Sequence, residues 1–142
     1  MKKLILFSIL FVFSFIAVKA QTITMTASGD TVVNAGTKAC SLKVANPYHQ
    51  VSIHALMTKI SGTVAGTLTL QGTVDGVTWV TVDSALYAGT ATASTFTATN
   101  VASQSKIWIV NNSPYLWFKL TWTGTGTMSA TLKGYVLPRK QG

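Results

Sequence analysis

Residues 70–83, LQGTVDGVTWVTVD, decide the fold, because two strand-forming runs meet there at Asp75-Gly76. Val and Thr favour strands. A two-residue Asp-Gly between such runs predicts a β-hairpin with a type I′ turn, which needs positive φ at both central residues. Asp75 and Gly76 are therefore predicted to be structural turn residues, and the turn accounts for the carboxylate without a catalytic role. Trp79, just past the turn, is predicted to anchor the core or a cross-strand pair.

Alternation of apolar residues with other residues recurs along the chain and predicts strands with one buried face. In residues 116–122, LWFKLTW, Leu116, Phe118 and Leu120 share one face, and Trp117 lies on the other. Such strands are typical of antiparallel sheets. The chain is therefore predicted to be an all-β, antiparallel, jelly-roll-like β-sandwich of about eight strands. The predicted strands cover residues 22–27, 37–45, 50–60, 66–74, 77–83, 92–99, 105–111 and 116–123, with a last one at 127–137.

A hydrophobic segment precedes the predicted sandwich. Residues 1–20, MKKLILFSILFVFSFIAVKA, start with two lysines after Met, continue with 15 apolar or Ser residues at 4–18, and end in Ala20. This is the layout of a secretory signal peptide, and a membrane-spanning helix usually needs about 20 apolar residues. We therefore expect cleavage after Ala20 and export of one domain, residues 21–142, to the periplasm, the cell surface or the medium. The alternative is an uncleaved hydrophobic anchor helix, with residues 4–18 as the only membrane contact.

The charge of the predicted mature chain argues against nucleic-acid binding. Eight Lys and Arg residues and three Asp residues give residues 21–142 a net charge of +5. The basic residues are scattered singly apart from Arg139-Lys140, whereas nucleic-acid-binding proteins concentrate them on one face or in runs. We therefore expect no nucleic-acid partner. A dispersed positive charge fits a general attraction to anionic cell surfaces instead.

The sequence offers few groups for catalysis. It contains three Asp, no Glu and no Gly-x-Ser-x-Gly nucleophile motif. Cys40 is the only cysteine and is predicted to be a small buried hydrophobe, with an intermolecular disulfide as the alternative. His49 and His54 are five residues apart and point to opposite faces of a regular strand, so only sharing between subunits would bring them to one metal. The sequence therefore predicts no enzyme activity, no metal site and no cofactor.

Three aromatic residues are the predicted ligand-binding candidates, namely Trp117, Trp108 and Tyr115. If the neighbours of Trp117 on its strand fill the core, its indole points outward, where it can stack on a sugar ring or anchor a subunit interface. Trp108 alternates with two isoleucines, so both faces of its strand are apolar. The alternative is that a loop or a second layer covers these aromatic side chains.

Two stretches carry a resemblance to known families. The spacing Gly-x-x-Asp-Gly-x-x-Trp at 72–79 resembles the hairpin of discoidin-like, galactose-binding β-sandwiches. Residues 113–139, SPYLWFKLTWTGTGTMSATLKGYVLPR, resemble the closing strands of small β-sandwich proteins of phage virions. The resemblance covers residues 64–139. The chain is shorter than a full discoidin domain and lacks the paired cysteines that many of those domains carry.

The resemblance implies capsid decoration, a spike, a fibre or attachment to a host surface. Together with the absence of a catalytic constellation, it predicts a non-catalytic exported structural or attachment protein, in which copies associate with one another or with other structural subunits. The alternative is a secreted carbohydrate-binding module, in which outward aromatic residues bind a surface glycan.

Overall fold

The computed structural model describes residues 23–25, 31–44, 49–89 and 93–139. These residues form ten strands and one short 3-10 helix, Ser84–Leu86. Within them, no helix is long and apolar enough to cross a membrane. The predicted signal or anchor helix, residues 1–20, lies outside the described residues. The strands are β1 (Ile23–Met25), β2 (Thr31–Val33), β3 (Thr37–Lys43), β4 (Gln50–Gly62), β5 (Ala65–Thr73), β6 (Val80–Thr81), β7 (Thr95–Ala98), β8 (Ser103–Asn111), β9 (Trp117–Thr125) and β10 (Met128–Arg139).

The strands form two antiparallel sheets, which confirms the predicted all-β sandwich. In sheet A, β10 is central: it pairs with β4 on one side and with β1 and β2 on the other, and β4 also pairs with β8. In sheet B, β9 pairs with β3 and β5, and the far side of β5 pairs with β6 and β7. Each sheet is therefore four positions wide.

Most connections carry the chain from one sheet to the other. The steps from β3 to β4, β4 to β5, β8 to β9 and β9 to β10 all change sheets. When β1 and β2 count as one position, and β6 and β7 as another, eight positions fill two sheets in the order of a jelly roll. At one corner, Gly62 has φ +70°, and a Cβ there would collide with the carbonyl oxygen of Thr127. Glycine therefore lets two inter-sheet connections lie against each other.

The core lies between the sheets and is filled by alternate residues of both. On β9, Phe118, Leu120 and Trp122 are fully buried, while the residues between them are partly exposed. The same alternation holds along most of β4 and β10, as the sequence predicts. Cys40 is 4% exposed, in agreement with its prediction as a buried small hydrophobe.

The predicted type I′ hairpin is wrong. The last pair of β5 with β6 is Gly72 with Val80, so the loop between them is much longer than two residues. Within this loop only Gly76 has a positive φ, of +78°, whereas a type I′ turn needs positive φ at both Asp75 and Gly76. The predicted strand 77–83 is correspondingly short, because only Val80–Thr81 pairs with a neighbour.

Candidate functional site

Two tryptophans and two lysines meet on the outward face of sheet B. Lys43 and Trp117 are cross-strand partners on β3 and β9, and the Lys43 Nζ lies 5.5 Å from the centre of the Trp117 ring. Trp79 belongs to the β5–β6 loop, and the Nζ of Lys119 lies 4.3 Å from the centre of its ring. Both distances fall within the range of a cation–π contact. We call these four residues the indole–lysine cluster.

Strand alternation puts the cluster on this face. Trp117 and Lys119 are two residues apart on β9 and so point the same way, while Phe118 between them is 0% exposed and points into the core. The indoles of Trp117 and Trp79 are only partly buried. Each therefore exposes part of an aromatic ring that also carries an N–H group, a combination that suits binding of a partly polar ligand.

Hydrogen bonds of the Asp75 side chain organise the loop that carries Trp79. One carboxylate oxygen accepts from the Thr73 hydroxyl at 2.7 Å and from the N–H groups of Val77 and Thr78 at 2.8 Å each. The Thr73 hydroxyl also accepts from the Gly76 N–H at 3.1 Å. The hydrogen bond from Thr73 and those from the two backbone N–H groups hold the pKa of Asp75 well below its usual range. This carboxylate is therefore ionised at neutral pH and engaged with its own loop.

The loop also lies against the other tryptophan of the cluster. A Cβ placed on Gly76 would be 3.7 Å from the Trp117 indole nitrogen, so the loop backbone borders that ring. Lys43 approaches the same ring. The loop and β3 thus hold Trp117 between them, and they fix its position without burying it.

The lysines of the cluster have no acidic partner among the residues that the structure describes. Their recorded contacts are with the two indole rings, and no ion pair is found for Lys43 or Lys119 in this part of the chain. Asp75, the acidic residue of the loop that carries Trp79, accepts hydrogen bonds from its own loop. The two ammonium groups of the cluster are therefore not neutralised by an ion pair within the described residues.

Threonine hydroxyls continue this surface beyond the cluster. Cross-strand register aligns outward threonines in two rows across sheet B, next to Lys119 and Gln71. The Thr121 hydroxyl donates to the Gln71 side-chain oxygen at 3.1 Å. We call these two lines of outward threonines the threonine rows. The first row contains Thr37, Thr123, Thr67 and Thr97, and the second contains Thr121, Thr69 and Thr95.

The structure separates the three predicted aromatic candidates. Trp117 points outward, as expected from alternation on its strand. Trp108 is 0% exposed, and its indole N–H donates to the Ala93 carbonyl at 3.0 Å, so its ring has no face open to a ligand. Tyr115 is 9% exposed and packs edge-on against Phe118, with ring centres 5.9 Å apart. Neither Trp108 nor Tyr115 lies at the surface of the cluster.

Trp79, Lys43 and Lys119 are not among the residues predicted from the sequence to bind a ligand. Trp79 is predicted to lie in the core or to anchor a cross-strand pair, and its partly exposed position beside Lys119 corrects the first alternative. The sequence offers one signal for this site: Lys119 lies two residues after Trp117 on the same strand, so both side chains are expected on its outward face. Predicting which lysine contacts which indole requires knowledge of the register of three strands, and the local sequence does not give it.

The histidines lie apart from the cluster. His54 stacks on Tyr135 on the outward face of sheet A, with ring centres 5.7 Å apart, beside an open groove of about 420 Å³. His49 is exposed just before β4. In residues 23–25, 31–44, 49–89 and 93–139, no group of three His, Cys, Asp or Glu side chains is placed to hold a metal ion.

Comparison with known proteins places the fold but no family. No family model matches the chain, and no curated protein sequence matches it. The PBSX exported protein XepA has a TM-score of 0.56 at 10% identity, over 86% of this chain and 38% of its own. The SPBc2 prophage-derived protein YomS has a TM-score of 0.50 at 12% identity, over 82% of this chain and 91% of its own. The chain therefore shares the fold of XepA and of YomS, and it spans under half the length of XepA.

Proposed function

We propose that this chain is a non-catalytic, exported attachment protein that binds a surface glycan through the indole–lysine cluster. The observation that carries the proposal is the presence of two partly exposed indoles at this face of sheet B, Trp117 on β9 and Trp79 on the adjoining loop, each in contact with a lysine. An indole buries a large apolar area with few rotatable bonds, so it loses little entropy when a ligand covers it. Its N–H group can also donate a hydrogen bond to a sugar hydroxyl.

Preorganisation of the cluster supports this function. The hydrogen bonds of Asp75 fix the loop before β6, and Trp117 is held between that loop and β3. A site whose side chains are already ordered gives up less conformational freedom on binding. The threonine rows add neutral hydrogen-bonding groups on the same face, and these match the hydroxyl groups of a polysaccharide.

The chain would act as one subunit of a larger surface or virion structure. The fold shared with an exported protein and a prophage-derived protein is compatible with this role. The second candidate, a secreted carbohydrate-binding module that works alone, uses the same cluster. Native mass of the protein taken from its source distinguishes the two: a multimer supports the structural subunit, and a species that stays monomeric at every concentration supports the module.

The binding test compares aromatic residues on the two outward faces. Wild-type protein is titrated with a panel of soluble bacterial and plant polysaccharides, and Trp fluorescence and calorimetry are followed. We expect Trp117→Ala and Trp79→Ala each to weaken binding about tenfold, which corresponds to about 1.4 kcal/mol. The matched control is Tyr135→Ala, which removes a partly buried aromatic ring from sheet A. If no polysaccharide binds, or if Tyr135→Ala weakens binding as much as the cluster variants, the proposed function is wrong.

A further inference from the structure

We infer that the ligand of the indole–lysine cluster is an acidic polysaccharide, a glycan polymer that carries carboxylate, sulfate or phosphate groups. This inference rests on the proposed function and specifies its ligand class. Its basis is the position of the two lysines, each of which approaches the indole on which a sugar would stack.

The lysines discriminate between neutral and acidic sugars. With Nζ 4.3 Å from the centre of the Trp79 ring, the Lys119 ammonium occupies one face of that indole. A neutral sugar that stacks on this face displaces the ammonium and offers it no charge in exchange. An acidic sugar can pack its C–H groups on the indole and accept a charge-assisted hydrogen bond from the same lysine, which is stronger than a neutral one. The contact between lysine and indole is thus replaced by a better one.

The charge of the described surface favours the same ligand class. Among the described residues there are seven Lys and Arg and only two acidic residues, Asp75 and Asp83. Asp75 accepts three hydrogen bonds within its loop, and Asp83 accepts one from the Ala85 N–H at the start of the 3-10 helix. No carboxylate among the described residues pairs with Lys43 or Lys119. A ligand anion therefore meets two ammonium groups that are not already in an ion pair with a carboxylate of the described residues.

The shape of the face indicates a polymer rather than a single sugar. Outward residues follow the cluster along β9 in the order Trp117, Lys119, Thr121 and Thr123. Since a strand rises about 3.4 Å per residue, this line is about 20 Å long. Beyond the lysines it is bordered by the threonine rows, which provide hydroxyl groups over several strands. Such a surface matches a glycan chain with its charged groups at the cluster and its hydroxyl groups along the threonines.

The experiment uses polymers that differ in charge but share a backbone. Polygalacturonate is compared with its methyl-esterified form, and dextran sulfate with dextran, by calorimetry and affinity electrophoresis at low and high salt. We expect the acidic polymer of at least one pair to bind ten times more tightly than its neutral partner. We also expect that advantage to fall as salt rises, because exposed charges are screened.

Lysine variants assign the effect to the cluster. The double variant Lys43→Gln/Lys119→Gln is expected to lose the preference for the acidic polymer. Lys133→Gln, an exposed lysine on the outward face of sheet A, serves as the control and is expected to keep it. Thermal melts of all variants establish that they remain folded, and Trp117→Ala is expected to weaken binding of charged and neutral polymers alike.

The outcomes separate this inference from the proposed function. Equal binding of acidic and neutral polymers, with dependence on Trp117, overturns the acidic ligand and leaves glycan attachment intact. Absence of binding to every polymer overturns both. An equal loss of preference in Lys133→Gln and in the cluster variant shows a general attraction by net charge, and that also overturns the inference.

Discussion

Substitution of Gly72 is expected to destabilise the fold because the ring of Tyr115 occupies the space of a side chain there. Gly72 faces the core from β5, and a Cβ at this position would lie 2.7 Å from both Cδ atoms of the Tyr115 ring. Real Cβ atoms essentially never approach other heavy atoms closer than 3.0 Å. Tyr115 itself is 9% exposed and is packed against Phe118, so its ring has little room to retreat.

The size of the effect follows from overpacking. Forcing an extra carbon into a packed core costs about 1–3 kcal/mol. For a domain of this size 1 kcal/mol shifts the melting temperature by about 4 °C, so we expect Gly72→Ala to melt about 4–12 °C below wild type. Gly72 has no positive φ, so backbone strain does not contribute to this cost. Urea unfolding followed by Trp fluorescence measures the change in free energy of unfolding.

A double-mutant cycle tests the cause. In the Tyr115→Leu background the ring is absent, and Gly72→Ala is expected to cost much less than in wild type. The coupling energy should therefore exceed the roughly 0.5 kcal/mol by which independent sites deviate from additivity. If the two substitutions are additive, or if Gly72→Ala leaves the melting temperature unchanged, the packing argument is refuted.

Three further outcomes are expected from the described contacts. Trp108→Ala should lower the free energy of unfolding by about 3–5 kcal/mol in urea titrations because its ring is fully buried, while Trp117→Ala should cost about 1 kcal/mol or less. Hydrogen bonds lower the pKa of Asp75, so its contribution to stability is present above the usual carboxyl pKa of about 3.9 and is lost as pH falls below it. The gap in melting temperature between wild type and Asp75→Asn should therefore narrow below about pH 4. Tyr87→Phe removes the 2.8 Å hydrogen bond to Ser94 and should cost about 1 kcal/mol. Burial raises the pKa of Tyr87, so the stability lost in Tyr87→Phe should become smaller as pH rises beyond about 10. Thermal melts of wild type and variant at alkaline pH measure this difference.

The fold class follows from the sequence because alternation is a local property. On β9 one face is apolar, and the sequence alone predicts that Trp117 points outward and Phe118 inward. On β8 the pattern fails, since Trp108 and the isoleucines beside it are all apolar. Ile107 is 54% exposed there and Trp108 is buried, and only packing against the second sheet decides between them.

The β5–β6 loop and the cluster required information that local sequence does not carry. Asp-Gly favours a tight turn when only backbone dihedral angles compete. Here the Asp75 carboxylate instead gains hydrogen bonds from Thr73 and from two backbone N–H groups, which stabilise a wider loop. That loop places Trp79 beside Lys119. The contact of Lys43 with Trp117 depends on the pairing of β3 with β9, two strands that are about 80 residues apart in the chain.

The central position of β10 has a consequence for the order of folding. β10 is the last described strand, yet it joins β1, β2 and β4 into one sheet. Until residues 128–139 are synthesised, β1 and β2 have no partner in sheet A, and β4 is paired on one side only. Pairings between distant segments also form slowly, because long loops must close first. In a nascent chain, sheet A therefore stays incomplete until this last described strand is available, whereas the pairings of sheet B do not depend on β10.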